Sequence, residues 1–331
     1  MERFALAAAV VLGFALTAAL CSLFVPLRRV LERREQQQQP IQPEQPRPAP
    51  LRAPLWGGLC AAAGTVAAVG VGWLAACVGQ PELLGSEGRL MTRLLTALAG
   101  SLAFGAVGLA EDVARMRSPA ALGLRRDVRL LLEALAAAFV LLLLRAAGCL
   151  PRGLGVPGAG YVLLGSAVPF LWAVLMVTLA ECARVAERDE GAVCGAAFVA
   201  MLALMMVEAG LGVSGLAVLP AALAGALVAL GLWAFPPARL GAGCCGSLLA
   251  AGAIGCIPLS LDMTSLTVPL ALPFWAAGGL LAAQLLCAKR TGKPLRCWGK
   301  KHKMSPETVF LCSFALSAVG YVLALALLRW C

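Results

Sequence analysis

Charge is what this sequence has least of. Only 13% of its 331 residues are Asp, Glu, Lys or Arg, while 61% are hydrophobic, and a soluble globular domain carries about twice that share of charge. An ordinary water-soluble domain is therefore excluded. Histidine occurs once, and the thirteen cysteines include no Cys-x-x-Cys pair, which argues against a zinc site. The cysteines lie mainly in apolar stretches and read as small core residues. Ionisable groups inside those stretches are scarce too, chiefly Glu133 and Glu208, both near the predicted ends. Proton and ion relays place such groups near the bilayer midplane, so this scarcity weighs against a transporter. No internal repeat is visible.

What is there comes in apolar blocks of roughly 17 to 25 residues, the length that crosses about 30 Å of hydrocarbon at 1.5 Å per residue. Ten such blocks run over 4–27, 55–79, 94–110, 128–148, 161–180, 192–211, 213–235, 245–262, 266–288 and 308–328. The fold class expected is an all-α integral membrane bundle of about ten transmembrane helices. It forms a single polytopic domain over residues 1–331, with a Gln/Pro-rich extended linker at 35–54. Abundant Ala and Gly let helix backbones approach closely, which favours a compact bundle. The block beginning at Phe4 lacks a clear small-residue cleavage site and ends in Arg28-Arg29, so it reads as a first span rather than a signal peptide.

The 27 Lys and Arg divide unevenly when loops alternate between the two sides. Arg28, Arg29, Arg115, Arg117, Arg125, Arg126, Arg129, Arg184, Arg188 and the Lys289–Lys303 run fall on one side, which the positive-inside rule makes cytoplasmic. Both termini are then expected outside. The net charge of +10 is mostly this bias, and basic loops can also meet phosphate or an anionic leaflet.

Acidic residues gather at the cytoplasmic helix ends. Glu111 and Asp112 close the third block, and Glu187, Asp189 and Glu190 precede the sixth, where a helix starting at once would put Glu187 and Glu190 on one face. Two acidic pairs converging on one membrane surface suit phosphoryl transfer between a soluble nucleotide and a lipid phosphate, with carboxylates to hold a magnesium ion or accept a proton. From the residues alone, solvated loop charges remain the alternative.

Ala53-Pro54-Leu55-Trp56-Gly57-Gly58 resembles the Thr-Pro-Thr-Met-Gly-Gly motif of the bacterial phospho-N-acetylmuramoyl-pentapeptide transferases, a family of polyprenyl-phosphate phosphoglycosyl transferases. Gly108 to Arg115 resembles its Gly-x-x-Asp-Asp-x-x-Lys, with Glu111 and Asp112 at the aspartates and Arg115 at the lysine. Gly123-Leu124 through Leu131 follows at the family's spacing. Arg184 to Gly191 stands in place of Asn-Leu-Thr-Asp-Gly-Leu-Asp-Gly, which puts Glu187 and Glu190 at its two aspartates. Pro237-Ala238 followed by Gly243-Cys244-Cys245-Gly246-Ser247 resembles Pro-Ala, then Gly-Asp-x-Gly-Ser. Gln284, Lys289 and Thr291-Gly292-Lys293 match a ninth-loop pattern that ends in a histidine cluster, of which His302 remains.

The resemblance implies a multi-pass protein of the bacterial plasma membrane, with its active face cytoplasmic. It would transfer phospho-N-acetylmuramoyl-pentapeptide or a related phospho-sugar from a UDP-sugar to undecaprenyl phosphate in peptidoglycan synthesis, with magnesium. Asp112, Glu111, Glu187 and Glu190 become the expected catalytic residues. Arg115, Arg184, Ser247, Lys289, Lys293 and His302 are the expected substrate-binding residues, and Asp112 with Glu187 the expected metal ligands. The partners expected are the bilayer, the lipid phosphate, the nucleotide and a second copy in a homodimer; nucleic acid is not among them. The motifs also depart from the family. Cys244 stands at the position of the magnesium-associated aspartate, glutamates replace three aspartates, and Arg184 replaces an asparagine. These departures leave a second reading beside the active transferase: an inactive member that binds polyprenyl phosphate or assists envelope assembly.

Overall fold

The structure is a computed structural model that describes residues 2–38, 56–79, 88–117, 123–151, 153–156, 160–163, 165, 167–187, 191–235, 239–291 and 306–330. In chain order the helices are α1 (Glu2–Gln38), α2 (Gly57–Gly79), α3 (Gly88–Arg117) and α4 (Arg126–Ala146). A two-stranded antiparallel hairpin of β1 (Gly153–Val156) and β2 (Gly160–Leu163) follows. Then come α5 (Ala167–Ala186), α6 (Ala192–Gly210), α7 (Ser214–Ala234) and α8 (Gly243–Ser260). A 3-10 turn at Thr264–Leu266 leads into α9 (Thr267–Leu270), α10 (Leu272–Thr291) and α11 (Pro306–Trp330).

Every apolar block of the sequence holds a helix. Among the described residues, eight helices are long and apolar enough to cross a membrane, and a ninth is reached if the bent pair of α9 and α10 counts as one span. The protein is therefore a predominantly helical membrane protein. That pair turns through 64°, because Pro273 in the first turn of α10 has no N–H to continue the helix from α9. α4 stands apart from the eight because Arg126, Asp127, Arg129, Glu133 and Arg145 interrupt its 21 residues.

Four boundaries differ from the sequence reading. Tyr161 to Leu163 form strand β2, so the fifth helix starts at Ala167 and runs on to Ala186. α3 does not close at Glu111 and Asp112 but continues to Arg117. Glu187 completes α5, its N–H donating to the Ala183 carbonyl, while α6 starts only at Ala192. The first four residues of the 35–54 stretch, through Gln38, are helical; residues 39–54 lie outside the described residues. The expected Gly-rich break between α6 and α7 is present, with Gly212 at φ +73 in the left-handed region that glycine tolerates.

α8 is the axis of the bundle. It is buried along its full length and packs against α2, α3, α5 and α6. Its sequence of Gly, Ala and Cys permits this, since small residues let helices approach where lipid supplies little driving force. Cys21, Cys60, Cys194, Cys244, Cys245 and Cys256 are buried as expected of small core residues, whereas Cys287 and Cys312 are exposed.

Candidate active site

The C-terminal ends of α3 and α5 and the N-terminal ends of α2, α4 and α8 meet at one end of the bundle. Two glycines make the meeting close. A Cβ on Gly108 of α3 would collide with the Cys244 carbonyl, and one on Gly58 of α2 would collide with the Gly246 N–H. Both positions belong to motifs singled out in the sequence, and in both it is backbone, which cannot yield, that excludes a side chain.

The approach brings Asp112 under the first turn of α8. Its Oδ1 accepts the Cys244 N–H at 3.0 Å and its Oδ2 accepts the Cys245 N–H at 2.9 Å. The first amides of a helix have no partner within it and carry the positive end of its dipole, so a carboxylate there is well placed. Asp112 is 1% exposed and Glu111 3%, which rules out solvated loop charges for this pair.

Arg115 lies in the middle of the acidic groups. Its Nη2 donates to Glu111 Oε1 at 3.0 Å and its Nη1 to Glu187 Oε2 at 3.3 Å, with Asp112 Oδ1 at 3.9 Å. The Cys244 thiol donates to the same Glu187 Oε2 at 3.2 Å. A second tier lies behind. Arg129 Nε donates to Glu181 Oε1 at 2.8 Å, and Arg129 Nη1 is 3.6 Å from Glu111 Oε2. Arg184 pairs with Glu181 and lies 3.9 Å from Glu111 Oε1. Glu133, one turn along α4 from Arg129, is fully buried, and neither of its carboxylate oxygens has a hydrogen-bond partner.

Of the residues expected at the site, Glu111, Asp112, Arg115, Arg184 and Glu187 converge here. Ser247 is close in sequence but turned inward: it is fully buried and its hydroxyl donates to the Cys244 carbonyl within α8. Lys289 falls near the end of α10, and Glu190, Lys293 and His302 lie outside the described residues. Sequence reasoning missed Glu181 altogether and gave neither Arg129 nor Glu133 a place in the site. The available signal was Glu181-x-x-Arg184, an i, i+3 acid–base pair. It was hidden because the predicted helix ended at residue 180.

These features define a multi-pass helical membrane protein with an arginine–carboxylate centre at one end of its bundle. The sequence model of Glycosyl transferase family 4 matches residues 94–262, just over half of the chain and the whole stretch that carries the cluster. The chain belongs to that family, which includes the phospho-N-acetylmuramoyl-pentapeptide transferases and related polyprenyl-phosphate sugar-phosphate transferases. Family membership supports a phosphosugar transferase. No curated protein matches the chain.

The magnesium expected from the resemblance does not suit the donors present. Asp112, Glu187 and Cys244 offer ligand atoms within 4.8 Å of one another. However, magnesium demands near-octahedral oxygen coordination, which a thiol does not supply. Both oxygens of Asp112 already accept backbone amides, and a guanidinium stands against the other carboxylates.

Proposed function

We propose that the protein transfers a phospho-sugar, phospho-N-acetylmuramoyl-pentapeptide or a relative of it, from a UDP-sugar to undecaprenyl phosphate in peptidoglycan synthesis. On this reading it resides in the bacterial plasma membrane with both termini outside and the cluster on the cytoplasmic face. A phosphate oxygen of the lipid attacks the β-phosphorus of the nucleotide sugar. A new P–O–P bond forms, the bond from the β-phosphorus to its bridging oxygen breaks, and uridine monophosphate leaves with that electron pair. Such a reaction needs little covalent help from the protein and depends on positioning and charge. Arg115, Arg129 and Arg184 supply fixed positive charge, and Lys289 near the end of α10, with Lys293 and His302 after it in the sequence, are the groups to meet the nucleotide. Glu187, at the end of α5, is the most exposed of the three carboxylates around Arg115.

The observation that carries the reading is the convergence of Glu111, Asp112, Arg115, Glu187 and Cys244 from α3, α5 and α8, within the matched stretch. The test is release of uridine monophosphate by purified protein, dependent on both UDP-N-acetylmuramoyl-pentapeptide and undecaprenyl phosphate. Release that needs both substrates supports the reading, and its absence with a panel of UDP-sugars removes it.

One observation favours a second reading, the inactive member that holds polyprenyl phosphate. Asp112 is committed to capping α8 and Arg115 to neutralising its neighbours, so the groups expected to do chemistry are engaged in structure. Saturable binding of undecaprenyl phosphate without release of uridine monophosphate would establish it.

A further inference from the structure

We propose that Arg115 is the resident cation of this site: its guanidinium takes the position between Glu111, Asp112 and Glu187 that a divalent ion would need, and the protein binds no such ion there. The proposal concerns the cluster named above but does not require turnover.

Three observations carry it. First, the guanidinium reaches all three carboxylates at once, at 3.0, 3.3 and 3.9 Å. It is planar and charged at every accessible pH, so unlike a bound ion it is neither exchanged nor titrated away. An ion among these oxygens would lie within a few ångströms of a fixed positive charge in a partly buried setting, where repulsion is less screened than in bulk water.

Second, Arg115 has little room to leave. Its partners Glu111 and Asp112 lie on its own helix, one turn back. Over its other side passes Gly123, held at φ +68, where a Cβ would come within 3.1 Å of Arg115 Cγ and 3.4 Å of its Nε. The chain therefore runs against the arginine stem and keeps the head among the acids. The glycine also explains itself: any larger residue there would push the stem aside, besides adopting a strained backbone.

Third, the donors left over do not make a cation site. Asp112 accepts an α8 amide on each of its oxygens, and the Cys244 thiol donates a hydrogen bond to Glu187. A metal ligand must be a thiolate. The thiol thus acts here as a donor to a carboxylate, a role that an ionised aspartate at position 244, being only an acceptor, could not fill.

The experiment is a manganese and zinc titration of the purified full-length protein in detergent. Manganese is read by loss of its free EPR signal, zinc by a chelating dye, and thermal unfolding is followed in magnesium and in EDTA. Wild type is expected to take up less than stoichiometric metal at millimolar concentration and to unfold at the same temperature in both buffers. The double variant Arg115→Gln/Cys244→Asp restores a hard ligand and removes the competing charge. It is expected to take up one manganese per chain and to unfold on the order of 5 °C higher at a hundredfold excess over Kd. One metal ion bound per wild-type chain overturns the proposal, with zinc identifying Asp112, Glu187 and Cys244 as a thiophilic site. So does a folded double variant that binds none. If the double variant does not fold, the wild-type titration decides alone. Because uptake is measured without substrate, failure to release uridine monophosphate leaves the result standing.

Discussion

The two halves of α8 are held by different physics. At its N-terminal end Cys244 and Cys245 give their amides to a buried carboxylate that is itself paired with arginine. Eight residues on, Gly252 packs against the backbone of Ser101 and the Cβ of Phe104, and Gly255 faces Met176, with Trp172 Nε1 donating to the Gly255 carbonyl at 3.2 Å. A helix buried on every side has no polar face to fix its rotation or depth. Small residues set how near α8 comes to its neighbours in this half, where the Trp172–Gly255 bond adds a neutral directional contact. Directional, charge-assisted bonds at one end set where along its axis it stops.

The largest effect should come from breaking the charged end. Asp112→Ala leaves two buried amides without acceptors and Arg115 without one of its counter-charges. Removing one member of a buried charged network costs roughly 3–5 kcal/mol. Thermal unfolding in detergent should show it as the steepest fall of any single truncation in α3, and an unfolding temperature within a degree of wild type would show that α8 is placed by packing alone. Next in size, Gly108→Ala should cost about 1–3 kcal/mol by overpacking, because its methyl meets the fixed Cys244 carbonyl. Gly252→Ala, whose methyl would sit 3.0 Å from its neighbours, should cost less. Equal losses would remove the distinction between the two halves. The smallest effect should have the opposite sign. Glu133→Leu replaces a carboxylate that has no hydrogen-bond partner with an apolar group, and should raise stability by up to about 1 kcal/mol. A clear loss would mean that Glu133 balances Arg129 rather than burdening the core.

The helices were readable because each is a long apolar block, and the acidic motifs of α3 and α5 come together at one end of the bundle. Two kinds of fact were not readable. The run Tyr161-Val162-Leu163 looks the same whether it opens a helix or forms a strand. Taking it as helix moved the predicted end of α5 short of Glu181, so half of the second ionic tier vanished into a loop. The use of each carboxylate was the other hidden fact. Asp112 was expected as a metal ligand, but its partners are main-chain amides 132 and 133 residues away, and backbone groups leave no trace in residue identity. Arg129 and Glu181, 52 residues apart, likewise pair only once α4 and α5 lie side by side.

The separation between Asp112 and the amides it caps also has a meaning in time. A ribosome adding about 5–20 residues per second makes Asp112 roughly 7 to 26 s before Cys244. Through that interval α3 exists without α8, and its carboxylate waits without the acceptor role it will fill. α3 meets the delay with Arg115, made a fraction of a second later and able to pair with both Glu111 and Asp112 from the same helix. Until α8 is made, Arg115 on the same helix is in reach to balance one of the two acidic charges of Glu111 and Asp112.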